Sequence, residues 1–245
     1  LTPAPHTAFA DAPGLDLGRL GTPEARWLSA LGGLTELTVP TGHRVVVLSP
    51  HPDDETFGVG GTISMMVDAD CEVVVVSLTD GEAASDEPRL AARRTLELQQ
   101  ALRFLSNGRH VELQRWSLPD SGIAGHLDDL HGRLMSLLRA DDIVLAPFEN
   151  DGHGDHDATG RAARSAAAGS GCALWFYPIW AWHWHDPDTS ALTDRGVRVP
   201  LSVAAMHAKH EAMRCFASQT AGSNPVVPAD MVIRFSRSYE LLVRP

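Results

Sequence analysis

Cysteine is scarce in this chain, tyrosine scarcer still, and neither a positive charge excess nor a long apolar run is present. Each absence removes a class of function. The three cysteines, Cys71, Cys172 and Cys215, are odd in number, far apart and without a CxxC pair. They make no disulfide framework, so a reducing compartment, the cytoplasm, is expected, and the thiols read as small core residues. With 20 Lys+Arg against 31 Asp+Glu the formal charge is −11, which argues against a nucleic-acid partner. No apolar stretch approaches the ~18 residues that span a membrane. Residues 1–14 show neither a basic n-region nor an apolar h-region, so no signal peptide is expected there; the first residue is not Met.

What is present describes an ordinary globular protein. The 245 residues suffice for one large domain or two small ones, with 44% hydrophobic and 21% charged residues. Histidine is the oddity: twelve against two tyrosines, a hint of metal or acid–base chemistry.

Residues 1–40 are rich in Pro, Gly and Ala and read as an N-terminal lead, with a helix over 23–31 that opens on Thr22-Pro23-Glu24. This lead is expected to pack on one main domain, 41–245. There, β-branched apolar runs at 45–48, 73–76 and 143–146 suit strands buried on both faces, and 111–116 and 173–179 are further strand candidates. Helical patterns intervene at 60–67, 89–105, 127–138 and 157–168; Leu90, Leu96, Leu98, Leu102 and Leu105 supply the apolar stripe of the second. A helix over 203–218 and extended segments at 197–201 and 231–235 complete the reading. Strand alternating with helix predicts an α/β fold: a Rossmann-like, mostly parallel sheet flanked by helices in three αβα layers. Sites in such folds form at the carboxyl ends of the strands.

Two motifs fall there. Ser49-Pro50-His51-Pro52-Asp53-Asp54-Glu55 follows the first strand. Three consecutive carboxylates repel one another, and a cation at the strand end would offset that cost. His51 and Asp54, three apart across a turn, can converge on one metal ion, with Asp53 beside it; an acidic helix cap is the alternative. Pro147-Phe148-Glu149-Asn150-Asp151-Gly152-His153-Gly154-Asp155-His156-Asp157 follows the fourth strand and brings a second imidazole pair among acids. Together the motifs offer two histidines and a carboxylate with an open position, the pattern of a catalytic rather than a structural metal site.

The series His51-Pro52-Asp53-Asp54-Glu55, Thr79-Asp80-Gly81-Glu82, Asp120-Ser121-Gly122 and His153-Gly154-Asp155-His156 resembles the PIG-L/LmbE-like family of metal-dependent N-acetyl-sugar deacetylases. The resemblance covers residues 44–156 and, more loosely, extends to Gln219. It implies an LmbE-like fold and hydrolysis of the N-acetyl group of an amino sugar or glycoside. It implies His51, Asp54 and His156 as metal ligands, with Zn2+ as the ion and Fe2+ or another divalent metal as the substitute. It implies Asp53 as general base, His153 as oxyanion stabiliser or amine protonator, and Asp155 as the residue orienting His153. Arg94 is similar to an arginine that contacts the sugar, and Asp120 to an acid that holds sugar hydroxyls. Two positions depart: Gly154 stands where the family commonly has Pro, and Asp151 occupies a position that varies between subfamilies.

Other features have plainer readings. Residues 180–185, Trp-Ala-Trp-His-Trp-His, suit a sugar-stacking wall, a packed loop or a subunit contact equally, which leaves a homo-oligomer open. Arg93, His207, Lys209 and His210 read as solvated surface, and Gly58, Gly60 and Gly61 as sites of close packing near the metal turn. Two rival functions remain. His51-x-Asp53 with a distant His matches the facial triad of non-haem iron oxygenases, in which Asp53 rather than Asp54 would bind metal. A catalytically inactive sugar-binding protein of the same fold is the other.

Overall fold

A computed structural model of the chain describes residues 21–223 and 225–245. Of the N-terminal lead, residues 1–20 lie outside the described residues. The expected helix is α1 (Glu24–Leu31). It docks through Trp27, whose indole N–H donates to the Trp182 carbonyl at 2.8 Å.

The chain then alternates as expected: β1 (Arg44–Ser49), α2 (Asp54–Asp68), β2 (Glu72–Thr79), α3 (Leu90–Leu105), β3 (Glu112–Leu118), α4 (Leu127–Leu137), β4 (Ile143–Pro147), α5 (Gly154–Ser170) and β5 (Ala173–Tyr177). Two short helices, α6 (Ala181–Trp184) and α7 (Ala191–Asp194), lead to β6 (Gly196–Pro200). α8 (Val203–Met213), α9 (Ala217–Thr220), α10 (Ala229–Phe235) and β7 (Tyr239–Val243) follow. The sheet runs β3-β2-β1-β4-β5-β7-β6, with β7 antiparallel to both neighbours. Val45 pairs with Val73 on one side and Ile143 on the other, so the valine runs lie side by side at the centre. α2, α3 and α8 pack together over one face, and α4 and α5 over the other. Helices cover both faces, which is why these strands read as continuous apolar runs. Among the described residues no helix is long and apolar enough to cross a membrane.

Strand order reverses between β1 and β4, each of which has its next strand on its outer side. Such a switch point opens a crevice at the carboxyl ends of the two strands. Both histidine motifs begin there.

Several expectations need correction. Residues 231–235 are helical in α10, not extended. Met231 and Phe235 are four apart and buried while Ile233 is 61% exposed, which is helical and not alternating spacing. β7 was not foreseen. The helix expected over 203–218 ends at Met213, and α9 is separate. α2 and α5 start at Asp54 and Gly154, earlier than periodicity indicates, because their first turns carry polar site residues. Leu96 is 65% exposed and lies outside the stripe of α3. His207 is exposed as expected, but Lys209 is 2% exposed.

Lys209 explains a break in α2. Val59 leaves helical geometry (φ −138°, ψ 20°), so Gly61 and Thr62 present free N–H groups in mid-element. The Glu240 carboxylate of β7 accepts both, at 2.8 and 2.7 Å, and Lys209 of α8 donates to it at 2.6 Å. The break also lets α2 come close to its neighbours: a Cβ at Gly58 would stand 2.3 Å from the Tyr177 ring, and one at Gly61 2.5 Å from Leu201. Removing one member of a buried ion pair strands the other. Lys209→Met is therefore expected to cost about 3–5 kcal/mol in denaturant unfolding. The double variant Lys209→Met/Glu240→Gln should cost clearly less than the single one.

Candidate active site

The crevice between β1 and β4 gathers side chains from several separate segments. His51 and Asp54 sit in the β1–α2 turn, and His156 lies in the first turn of α5. Their donor atoms form a near-equilateral triangle. His51 Nδ1 is 3.2 Å from Asp54 Oδ2, His156 Nε2 is 3.3 Å from Asp54 Oδ2, and the two nitrogens are 3.3 Å apart. Three ligands each about 2.0 Å from a tetrahedral ion stand about 3.3 Å from one another. The residues present therefore fit a divalent cation of the zinc type, which His51, Asp54 and His156 would hold. Asp53 is not part of this triangle; its Oδ2 lies 3.1 Å from Arg94. The oxygenase triad, which needs Asp53 as ligand, is not favoured.

The outer nitrogens of both imidazoles face carboxylates, which turns the inner nitrogens toward the centre. His156 Nδ1 is 2.8 Å from Asp151 Oδ2. His51 Nε2 is 3.2 Å from both Asp155 Oδ2 and Asp120 Oδ1. His51, Asp120 and Asp155 could themselves be taken for a cation site, as could the nitrogens of His51, His153 and His156, which lie within 4.8 Å of one another. The carboxylates of the former are already used: Asp155 accepts from Ser121 N (2.8 Å) and Ile123 N (3.0 Å), and Asp120 from Ala83 N (2.7 Å). The triangle with Asp54 is the tighter donor set.

Electrostatics agrees with geometry. Burial opposes charge throughout. Asp120, Asp155 and Asp54 nevertheless hold His51 well above the usual imidazole range, and Asp54 and Asp151 push His156 up to about 10. Nitrogens that bind a proton this strongly are strong donors to a metal cation. His153 is the opposite case: burial, then the neighbouring His156 and His51, keeps it well below that range, hence neutral. Its Nδ1 accepts the Asp155 N–H at 3.2 Å, which assigns the ring proton to Nε2. The Asp155 N–H thus helps to orient His153, and the Asp155 carboxylate also faces His51. Burial pushes the Asp53 carboxyl up to about 7, with Asp54 adding and Arg94 opposing.

Arg94 is 2% exposed and donates to the Gly81 and Pro52 carbonyls at 3.1 and 3.3 Å besides its contact with Asp53. It lines the same cavity as Asp120, yet its bonds serve Asp53, a role beyond the sugar contact that the resemblance implies. Gly81 makes the room: its φ is +67°, and a Cβ there would meet the guanidinium at 2.3 Å. Glu55, the third acid of the run, points away from the triangle and accepts from Ser49 Oγ (2.8 Å) and Asp53 N (3.2 Å).

Sequence reasoning also passed over two residues. Asp151 is fully buried and accepts the N–H groups of Ile179, Trp180 and Ala181 at 2.8–3.0 Å as well as facing His156. Gln219 is 1% exposed, lines the cavity, and its Oε1 has no hydrogen-bond partner. The aromatic stretch divides: Trp180 lines the cavity, whereas Trp182 meets the Trp27 ring edge-on at 5.0 Å and lies under Arg237 at 4.2 Å. That half is internal packing for α1.

A three-layer α/β fold whose switch point buries two histidines and one carboxylate as a possible donor set defines a class of protein with a candidate metal site. Comparison with known proteins narrows it. Residues 46–167 match the family model described as PIG-L: GlcNAc-PI de-N-acetylase. Over that segment the chain is similar to the PIG-L/LmbE-like family. It is 29% identical over 127 residues to a probable N-acetyl-alpha-D-glucosaminyl L-malate deacetylase 2 of Bacillus subtilis, covering 48% of this chain and 58% of that protein. It is 28% identical over 127 residues to the diacetylchitobiose deacetylase of Thermococcus kodakarensis, covering 48% and 46%. The chain thus spans about half the length of the curated relatives it matches. Among solved structures, a conserved protein of Thermus thermophilus shares the fold with TM-score 0.64 and 24% identity, over 83% of this chain and 94% of that one. The N,N'-diacetylchitobiose deacetylase of Pyrococcus horikoshii does so with TM-score 0.57 and 20% identity, over 94% and 80%.

The supports of the site are open to direct test. Asp151→Asn should weaken divalent-metal affinity about 10–100-fold in chelator competition, because His156 loses the carboxylate that turns it. Gly154→Pro should stabilise the protein by about 0.4–1 kcal/mol in denaturant unfolding. Gly154 is the first residue of α5, a Cβ there meets nothing, and His153 (φ −105°, ψ 129°) already has the extended geometry that precedes proline.

Proposed function

We propose that this protein hydrolyses the N-acetyl group of an amino sugar or glycoside, releasing acetate and a free amine, with Zn2+ held by His51, Asp54 and His156. Fe2+ suits the same donor set. The observation that carries this reading is the 3.2–3.3 Å donor triangle with a separate carboxylate, Asp53, beside it in one cavity. When bound, the cation lowers the pKa of a water toward about 7 and polarises an amide carbonyl.

The chain's own groups supply the rest. Asp53 takes a proton from the attacking water at a carboxylate oxygen. Its pKa near 7, set first by burial, suits a base that later gives that proton to the departing nitrogen. Arg94 fixes the direction of the carboxylate through the 3.1 Å contact. The neutral His153, with its proton on Nε2, donates to the oxygen on which negative charge develops. Asp120 lines the opposite flank and suits sugar hydroxyls, and the unpartnered Gln219 Oε1 is a second acceptor. Cysteine scarcity is the one feature that supports reading the enzyme as cytoplasmic.

The test is free-amine formation from a panel of N-acetylated glycosides, with and without chelator. Turnover abolished by chelator and restored by Zn2+ is the expected result; sugar binding without amine release would favour the inactive sugar-binding reading. Asp53→Asn should lower kcat by about 10²–10⁴-fold with metal content unchanged by elemental analysis. Stoichiometric metal loss in that variant would contradict the base assignment.

A further inference from the structure

Gln219 brings to the cavity wall a polar atom that the free protein does not use. The residue is 1% exposed, lines the cavity from α9, and its buried Oε1 has no hydrogen-bond partner. Its main chain is held on both sides: its N–H donates to the Phe216 carbonyl at 3.0 Å, and its carbonyl accepts from Val227 N at 2.9 Å. Its side chain is held as well. Glu97 of α3 accepts from Ser218 twice, from the main-chain N–H at 2.9 Å and from the hydroxyl. A hydroxyl has one proton, so toward Gln219 the Ser218 Oγ acts as acceptor. Gln219 Nε2 donates to it at 2.9 Å. The amide is thereby turned with its NH2 on Ser218 and its carbonyl oxygen left free. A buried acceptor left in this way costs stability and calls for a donor.

The carboxylates of the wall are already engaged. Asp53 faces Arg94, Asp120 accepts from Ala83 N, and Asp54 belongs to the donor triangle. Arg94 and Glu97 lie three apart on one face of α3. That face holds both Asp53, which returns a proton to the departing nitrogen, and, through Ser218, Gln219. The scissile secondary amide has one N–H. With the carbonyl oxygen toward the triangle, a trans amide turns that N–H the opposite way. Sugar hydroxyls can rotate toward water at the mouth; an N–H beside the reacting carbon cannot. We infer that Gln219 Oε1, held in place by Ser218 and Glu97, accepts the N–H of the scissile amide and so selects N-acetyl over O-acetyl groups. This rests on the amide-hydrolase reading of the same site. An ester sets an oxygen against Gln219 Oε1, and a site built to receive a donor rejects the analogue that lacks it.

The test uses the full chain loaded with Zn2+ and measures acetate release from methyl 2-acetamido-2-deoxyglucoside and from the matching 2-O-acetyl glucoside. Gln219→Leu should lower kcat/KM for the amide about 10–100-fold, as expected for one buried N–H left unpaired, and should lower the amide-to-ester ratio about tenfold or more. Ser218→Ala, at a half-buried position, frees the Gln219 amide to turn and should lower the same ratio about three- to tenfold. Added to Gln219→Leu, Ser218→Ala should cost nothing further, because it acts through the residue already removed. Equal losses on amide and ester in Gln219→Leu, or a Ser218→Ala loss that persists undiminished beside it, would overturn the inference and leave amide hydrolysis standing. No acetate from the amide with the unsubstituted chain would instead defeat the hydrolase reading, and this inference with it.

Discussion

Buried negative charge is the constraint on which this structure turns. Asp53, Asp54, Glu55, Asp151 and Asp155 are all at most 5% exposed and meet at the ends of two neighbouring strands, with the Asp120 side chain beside them. Uncompensated, such a cluster would be ruinous. The chain compensates each member separately. Main-chain N–H groups take Asp151, Asp155 and Asp120, hydroxyls take Glu55, and Arg94 takes Asp53. Asp54 accepts the His51 N–H at 2.9 Å and otherwise faces the imidazoles of His51 and His156, where a cation would complete the balance.

The fold places these compensations. A parallel sheet whose order reverses between β1 and β4 brings two distant segments to one crevice. The loops after β3 and β5 then supply donors from either side: Ser121 and Ile123 for Asp155, and Ile179, Trp180 and Ala181 for Asp151. The antiparallel β7 adds Glu240, which closes the break in α2 directly behind the metal turn. Site and scaffold thus share one helix, α2, whose first turn carries Asp54 and whose second half is pinned by a buried ion pair.

Much of this was legible in the sequence. The valine runs at 45–48 and 73–76 announced central strands because residues buried on both faces need no polar partner. His51, Asp54 and His156 were legible because motif order and strand ends together restrict what can meet. The rest depended on contacts that sequence spacing does not carry. Asp155 reads as a partner of His153, its near neighbour, yet its carboxylate reaches His51, 104 positions away. Asp151 looked variable and proves to be a hub, because three of its partners are main-chain groups without side-chain identity. Lys209 reads as a solvated cation, since charge alone does not tell which helix face will be covered, and Arg94 reads as a sugar contact, yet its bonds go to Asp53 and two main-chain carbonyls. Residues 231–235 carry branched residues that suit a strand, and only packing of Met231 and Phe235 on one side makes them a helix.

The central claim is that His51, Asp54 and His156 hold the metal while Asp53 stands beside it. The direct measurement is a crystal structure of the Zn2+-loaded protein with anomalous scattering collected at the zinc edge. One peak is expected about 2.0–2.2 Å from His51 Nδ1, Asp54 Oδ2 and His156 Nε2, with no bond to Asp53. A peak bonded to Asp53, or seated among His51, Asp120 and Asp155, would contradict it.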